Sequence, residues 1–309
     1  MTETAPPSSP TRCGVIAVLG APNAGKSTLV NALVGQKVAI TSAKAQTTRA
    51  RMLGIALHET GGAPTQMILV DTPGIFAPRR RLDRAMVSAA WEGAEAADAV
   101  LLMVDPVKQR RHELEPLLET LSQRPERKIL VLNKVDRAKK EPLLVLAQEL
   151  TGKAQFAEVF FVSALTGEGV PELKDHLAAM MPEGDWMYPE DQVSDASERL
   201  LAAEITREQL YQQLHEELPY DSAVRPEKYE VRPDGSVEIH QQIVVTRDNQ
   251  RAIVLGKGGS RIKAIGAAAR AELAEVLGVK VHLFLHVKVL ENWAEDRELF
   301  EEIGLDWVR

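Results

Sequence analysis

A single cysteine, Cys13, is all that the 309 residues contain, so no internal disulfide can form. No Cys and His cluster has metal-ligand spacing either. No apolar run reaches about eighteen residues, which argues against a membrane-spanning helix. The opening stretch MTETAPPSSPTR lacks both a basic start and an apolar core, so it does not read as a signal peptide; its Pro, Ser and Thr suggest a disordered tail over residues 1–12. These absences together point to a reduced, cytoplasmic setting, and no feature calls for more than a monomer. An excess of positive charge is also missing. The formal net charge of −7 speaks against a protein that coats nucleic acid without specificity.

What is present fits two compact domains: 45% hydrophobic and 26% charged residues over a length sufficient for two cores. In the first part, short continuous apolar runs (Val15–Leu19, Met67–Val70, Ala99–Val104, Lys128–Leu132, Val159–Val162) alternate with helix-length stretches (Lys26–Gly35, Leu82–Ala96, Pro171–Met180). Continuous rather than alternating apolar strands imply a mostly parallel sheet with helices on both faces. Arg51–His58, ahead of Gly61-Gly62, fits an edge strand entering a hairpin with Gln66–Val70. The segment 182–197 (PEGDWMYPEDQVSDAS) interrupts this rhythm and reads as a linker between domains at 13–181 and 198–309. Beyond it the order changes: a helix Glu198–Leu218, strands Glu227–Arg232 and Ser236–Val245 joined at Pro233-Asp234-Gly235, two helices meeting at Gly256–Gly259, and a strand Val279–Val289. The acidic tail 291–304 carries Trp293, Leu299, Phe300 and Ile303 at helical spacing and is expected to pack on its own domain.

Gly20-Ala-Pro-Asn-Ala-Gly25-Lys26-Ser27 fits G-x-x-x-x-G-K-[ST] between a strand and a helix. Backbone N–H groups of such a loop curl round phosphate oxygens, and the following helix aims its positive end at them. Asn23, Ala24, Gly25 and Thr28 line it, Lys26 neutralises the terminal phosphates, and the Ser27 hydroxyl suits Mg²⁺. Asp71-Thr-Pro-Gly74 follows a strand: Asp71 can hold Mg²⁺ through water and the Gly74 N–H can reach a γ-phosphate, although the same residues would serve a plain turn. Gln46-Thr47-Thr48-Arg49 offers a further hydroxyl, Thr48 in preference to Thr47. Asn133-Lys134-Val135-Asp136 closes another strand. Asp136 can accept from the ring N–H and amine of guanine, and Asn133 can bond the opposite edge. Adenine would leave such a carboxylate unpaired, a difference that rejects wrong partners by about 10⁴–10⁵-fold. Ser163-Ala164-Leu165 supplies backbone to the same base. The order of these segments favours GTP and GDP over ATP.

In the second part, Ile253, Gly256, Lys257, Gly258, Gly259, Arg261, Ile262 and Lys263 place G-x-x-G between two helices. Eight basic and only three acidic residues lie between Arg247 and Lys288. A glycine turn alone is no more than a turn. Within the order α-β-β-α-α-β it matches a type II KH module, whose loop clamps the backbone of about four single-stranded nucleotides while aliphatic neighbours floor the groove.

GAPNAGKST, QTTR, DTPG, NKVD and SAL in this order resemble the translation-factor-like GTPases, and with the linker and second domain they resemble the bacterial Era family from about Cys13 to Val289. The resemblance implies a P-loop GTPase domain followed by a smaller α+β type II KH domain. It also implies a GTPase using Mg²⁺ that binds the 3′ end of small-subunit (16S) rRNA and acts on the pre-30S particle, with some members reported peripherally at the inner membrane face. Ras-type enzymes place a water-orienting glutamine just after the glycine of the Mg²⁺ motif. Here Ile75 stands there, so slow turnover is expected, on the order of 10⁻⁴–10⁻² s⁻¹. Similar GTPases with an apolar residue at that point often use K⁺, for which Asn23 is the ligand candidate, a purely structural loop asparagine being the alternative. Residues 36–51 and 74–82 are expected to be nucleotide-sensitive switches poor in core anchors, with Arg79-Arg80-Arg81 a solvated basic turn. The competing expectation is a regulatory GTPase whose second domain binds protein or membrane.

Overall fold

The computed structural model describes residues 10–42, 44, 46–108, 111–214, 218 and 220–308. Of the disordered tail expected over residues 1–12, residues 1–9 lie outside them, whereas Arg12 already begins a strand. The chain forms two compact units: residues 1–38, 53–71 and 93–195, and residues 39–52, 72–92 and 196–309.

The elements run β1 (Arg12–Gly20), α1 (Lys26–Val34), β2 (Met52–Thr60), β3 (Ala63–Asp71), α2 (Arg81–Glu95), β4 (Ala99–Val104), α3 (Arg111–Ser122), β5 (Arg127–Leu132), α4 (Lys140–Lys153), β6 (Glu158–Phe161) and α5 (Val170–Met180). They are followed by α6 (Glu198–Gln213), β7 (Ser222–Val231), β8 (Val237–Val245), α7 (Asp248–Leu255), α8 (Ser260–Leu277), β9 (Val281–Val289) and α9 (Arg297–Glu302).

In the first unit six strands lie in the order β2-β3-β1-β4-β5-β6, with β3, β1, β4, β5 and β6 parallel. Gly61 and Gly62, with φ of 62° and 80°, make the two-residue turn from β2 into β3, a backbone region nearly closed to other residues. α1 and α5 cover one face through Leu29, Leu33, Leu173 and Leu177, which pack with Ile16, Val18, Leu101 and Val131. The alternate residues Ala17, Leu19, Val100, Leu102, Leu130 and Leu132 are buried as well, so both faces are covered, as unbroken apolar strands require. Of the segment 182–197, expected as a linker, residues 182–195 belong to this unit and are bonded along it. Cys13 N–H donates to Pro182 O, Ile55 N–H donates to Val193 O, and the Gln66 side-chain oxygen accepts from the N–H groups of Met187 and Tyr188.

In the second unit β7 and β8 are antiparallel and β9 runs parallel to β8, giving the order β7-β8-β9. The Ser197 hydroxyl accepts from Leu200 N–H and starts α6 where the sequence predicts it. The helix ends at Gln213, where Leu214 is extended, short of the expected Leu218. Ala203, Leu210, Val224, Ile243, Val254 and Ile265 form the core beneath the sheet. The tail packs on its own unit as expected, with Trp293, Leu299, Phe300 and Ile303 buried against Ala223 and Val244.

One expectation is overturned here. The two segments read as poor in core anchors contribute Ile40 and Leu82 to hydrophobic clusters of the second unit and bury Thr48 and Arg49 there. Their polar composition concealed side chains whose partners lie on α6 and β7. Of the basic turn, Arg79 and Arg80 are exposed, whereas Arg81 lies over the Trp307 ring at 4.3 Å.

Candidate nucleotide and nucleic-acid sites

β1 ends at Gly20, where a Cβ would sit 2.4 Å from the Met103 carbonyl oxygen on β4, so no larger residue fits between the strands. The loop then turns through left-handed Asn23 (φ 62°) and Gly25 (φ 101°), and α1 begins at Lys26. A Cβ on Gly25 would fall 2.2 Å from Asn133 Nδ2, so the loop and the β5 end are fitted to one another. Lys26 is buried, with Nζ donating to Gly20 O at 3.2 Å and Ala21 O at 3.0 Å across the loop. Burial pulls its pKa down to about 8, partly opposed by Asp71. A phosphate in the loop would restore the charge that burial disfavours. Ser27 Oγ donates to Asp71 Oδ2 at 2.7 Å, bringing two oxygen ligands of the kind Mg²⁺ takes to one point. Thr28 follows on α1, half-buried.

Asn133 is buried, and both ends of its amide are engaged: Nδ2 donates to Ala24 O at 2.8 Å and Oδ1 accepts from Ala164 N–H at 3.0 Å. It therefore ties the phosphate loop to the loop after β6, a scaffold role that the sequence reading did not contain. An amide oxygen and an amide nitrogen each retain a second valence for a base. Lys134, itself left-handed (φ 63°), donates from Nζ to Asn23 O at 2.6 Å and to Asp105 Oδ2 at 2.7 Å. Asp105, buried at the end of β4, also accepts from the N–H groups of Val107 and Lys108. Sequence reasoning passed over this residue, although an Asp closing a continuous apolar strand in such a sheet was the available signal. Asp136 stands on the short turn Val135–Arg137. Ser163 N–H donates to Glu168 O, and Ser163 Oγ accepts from Thr166 N–H at 3.2 Å, which fixes the loop and leaves Leu165 exposed.

The first unit thus gathers residues 20–28, Asp71, Asn133, Lys134, Asp136, Ser163, Ala164 and Leu165 at the carboxyl ends of parallel strands, where open α/β sheets take their ligands. Thr48 and Gly74 belong to the second unit, both buried there. The Thr47 hydroxyl is engaged with Lys44 O at 2.8 Å.

In the second unit α7 passes into α8 through Gly256 (φ 69°), Gly258 (φ 61°) and Gly259 (φ 77°). Gly256 is required for space as well, since a Cβ would meet that of Arg261 at 2.8 Å. Nothing lies within 4 Å of a Cβ built at Gly258 or Gly259, so their backbone is open to an approaching chain. Arg261 Nη1 donates to Ile253 O at 3.2 Å and pins the two helices together, a use beyond the positive charge expected of it. Lys257 and Lys263 are exposed. Ile253 is 45% exposed, and Ile262 rests half-buried against the core beside Leu285 and Val287.

Comparison with known proteins identifies both domains. Residues 15–134 match a family model described as 50S ribosome-binding GTPase, and residues 217–294 match the KH domain. The chain is 84% identical to GTPase Era of Erythrobacter litoralis (strain HTCC2594) over 298 residues, 96% of this chain and 98% of that one. It is 55% identical to GTPase Era of Rhizobium meliloti (strain 1021), over 99% of this chain and 97% of that one. Among solved structures, Aquifex aeolicus Era Y63A bound to GDP.AlF4⁻ superposes with a TM-score of 0.89 at 36% identity, covering 95% of this chain and 99% of that one. Era in complex with MgGDPNP and nucleotides 1506–1542 of 16S ribosomal RNA gives 0.88 at 36% identity, with the same coverage. A GTPase domain and a KH domain in one chain, at this identity over nearly its whole length, show that it belongs to the Era family of GTPases.

Proposed function

We propose that this GTPase is a switch that binds the 3′ end of small-subunit rRNA and acts in maturation of the pre-30S particle, as a cytoplasmic monomer. The GTPase domain is taken as residues 13–181 and the RNA-binding domain as 198–309, joined by 182–197. The observation that carries the RNA half is the glycine loop, open at Gly258 and Gly259 and flanked by exposed Lys257 and Lys263. Support comes also from the similar Era solved with MgGDPNP and nucleotides 1506–1542 of 16S rRNA.

In the nucleotide half, the N–H groups of Asn23 to Thr28 would cradle the phosphates, Lys26 would neutralise them, and Asp136 would read guanine with Asn133 and the 163–165 loop. Ser27, Asp71 and Thr48 would hold Mg²⁺, whose charge, when bound, offsets that of the β- and γ-phosphates. The Gly74 N–H would meet the γ-phosphate. Ile75 offers the attacking water no hydrogen bond, so hydrolysis rests on positioning and charge and stays slow until a partner or RNA completes the site. Asn23 would hold K⁺ as an added charge donor, tested by comparing turnover in K⁺ and Na⁺ buffers. In the RNA half, Gly256, Gly258 and Gly259 would admit phosphates, Lys257, Arg261 and Lys263 would add charge, and Ile253 and Ile262 would floor the bases. Among the described residues no helix is long and apolar enough to cross a membrane.

Crosslinking in lysate, with a non-hydrolysable GTP analogue and then with GDP, tests the proposal. Sequencing should recover the 3′ end of small-subunit rRNA, and the double variant Lys257→Asp with Gly258→Asp should lose it. Background recovery in both nucleotide states would remove the RNA half and leave the GTPase.

A further inference from the structure

Thr41, Lys44, Gln46, Thr47 and Arg49, which flank the hydroxyl proposed for Mg²⁺ and the γ-phosphate, are tied to α6 and the start of β7 within the second unit. Thr41 N–H donates to Glu208 Oε1 at 3.0 Å. Lys44 Nζ donates to the carbonyls of Tyr211 and Leu214, the acceptors that a helix end leaves over. Gln46 O accepts from the Tyr211 hydroxyl at 3.3 Å, and Thr47 O accepts from Arg207. Arg49 makes the most connections. Its guanidinium donates to Ser222 O at 2.7 Å, Tyr220 O at 3.0 Å and Tyr211 Oη at 3.3 Å, and lies 5.6 Å from the centre of the Trp293 ring.

Arg49 is only 2% exposed, a cation placed where water cannot solvate it. Its fork meets two main-chain carbonyls and a phenol, a geometry that the single ammonium of Lys cannot reproduce. Burial disfavours its charge, so the guanidinium is tolerated only while those acceptors are in place. Seating is therefore close to all-or-none, which is the property required of an element with two discrete arrangements. Thr48 is the adjacent residue and is itself buried in this unit, so a ligand that draws on the Thr48 hydroxyl acts on the Arg49 socket through one peptide link.

We infer that Arg49 is a positioning residue that transmits the nucleotide state of residues 41–49 to the RNA-binding unit through its socket at Tyr211, Tyr220 and Ser222. The inference rests on the function proposed above for Thr48 and for the glycine loop. Coupling of this kind is a ratio of affinities and is reciprocal: whatever the GTP analogue does to RNA affinity, RNA does to analogue affinity.

The test measures that ratio. The full chain, as wild type, Arg49→Gln, Arg49→Lys and Tyr211→Phe, is titrated with a 3′-terminal small-subunit rRNA oligonucleotide in GDP, in the non-hydrolysable GTP analogue and without nucleotide. In wild type the two nucleotide affinities should differ. In Arg49→Gln they should come within about twofold of each other, while affinity without nucleotide and affinity for GDP are retained. Arg49→Lys should fail to restore the ratio fully, and Tyr211→Phe, which deletes one hydroxyl and keeps the ring, should lower it in part. A merely structural Arg49 would lower melting temperature and all affinities together and leave the ratio at its wild-type value, which overturns the inference. A wild-type ratio of one overturns it as well. Absence of RNA binding in wild type instead removes the function on which it rests.

Discussion

Lys26 in the first unit and Arg207 in the second are both buried cations, and their surroundings treat them in opposite ways. Around Lys26 the loop offers two carbonyl oxygens, with only Asp71 as counter-charge, and burial pulls its pKa down to about 8. Around Arg207 burial opposes the charge too, but Glu204 outweighs it, accepting from both Nε and Nη2, and the guanidinium is held more firmly protonated than in water. The first cation is left under-compensated for an anion that arrives from outside; the second is compensated by the chain itself. At Lys26 the under-compensated charge fits a ligand site, and at Arg207 the charge compensated by Glu204 fits a joint.

Removing each cation separates the two cases. Arg207→Met leaves Glu204 without its partner and Thr47 O without its donor, which should cost roughly 3–5 kcal/mol of folding stability. Urea unfolding followed by tryptophan fluorescence checks this. Lys26→Met should behave the other way. The nucleotide-free protein should unfold at the same urea concentration or a higher one, since a poorly solvated charge has gone. GDP affinity should meanwhile fall by roughly a hundredfold, the loss of charge-assisted bonds to phosphate. Equal destabilisation by both substitutions would erase the distinction.

The asymmetry extends to pH. The folded pKa of Lys26, about 8, lies below its ordinary value of 10.5, so between these values the unfolded chain holds more protons than the nucleotide-free native one. The Lys26 contribution to native stability therefore rises with pH through that window. Nucleotide binding has the opposite sign. Below pH 8 the lysine already carries its charge, whereas above it GDP binding must draw a proton from the buffer, and affinity should decline toward about tenfold per pH unit. Calorimetry in two buffers of different ionisation enthalpy, kept below the pH at which guanine itself titrates, measures the uptake directly. No uptake at pH 8.5 would mean that Lys26 stays fully charged without its ligand. Arg207, held above its usual value, contributes nothing in this range.

The same contrast explains what could be read from the chain alone. The phosphate loop is legible because its chemistry is carried by neighbours in sequence: Gly25, Lys26 and Ser27 act together wherever a strand hands over to a helix. The strands are legible because parallel sheets bury both faces and abolish alternation, although that pattern says nothing of β1 lying between β3 and β4. Asn133 was read as a base ligand but also serves as a strut, because its partners Ala24 and Ala164 lie across strand neighbours that local pattern does not encode. The burial of Arg49 and Arg207 was invisible. Charged residues are assumed to be solvated, and although Glu204 is only three residues from Arg207, the further acceptor of Arg207, Thr47 O, is 160 residues away along the chain.

Asp105 provides the gentlest perturbation of the under-compensated site. It does not belong to the loop, but its carboxylate holds Lys134 at 2.7 Å, and Lys134 in turn holds the carbonyl of left-handed Asn23. Asp105→Asn keeps the size of the side chain and an oxygen for the N–H groups of Val107 and Lys108, and removes only the charge facing Lys134. Lys134 is then free to leave Asn23, and the loop is less well shaped before the nucleotide arrives. GDP should dissociate faster by roughly five- to tenfold, equivalent to about 1–1.4 kcal/mol, with association little changed because long-range charge is nearly the same. Stopped-flow release of a fluorescent GDP analogue reads this directly. If Asp105→Asn released nucleotide at the wild-type rate while Lys134→Met did not, the lysine would act on the loop without its carboxylate, and Asn23 would be positioned from the β5 side alone.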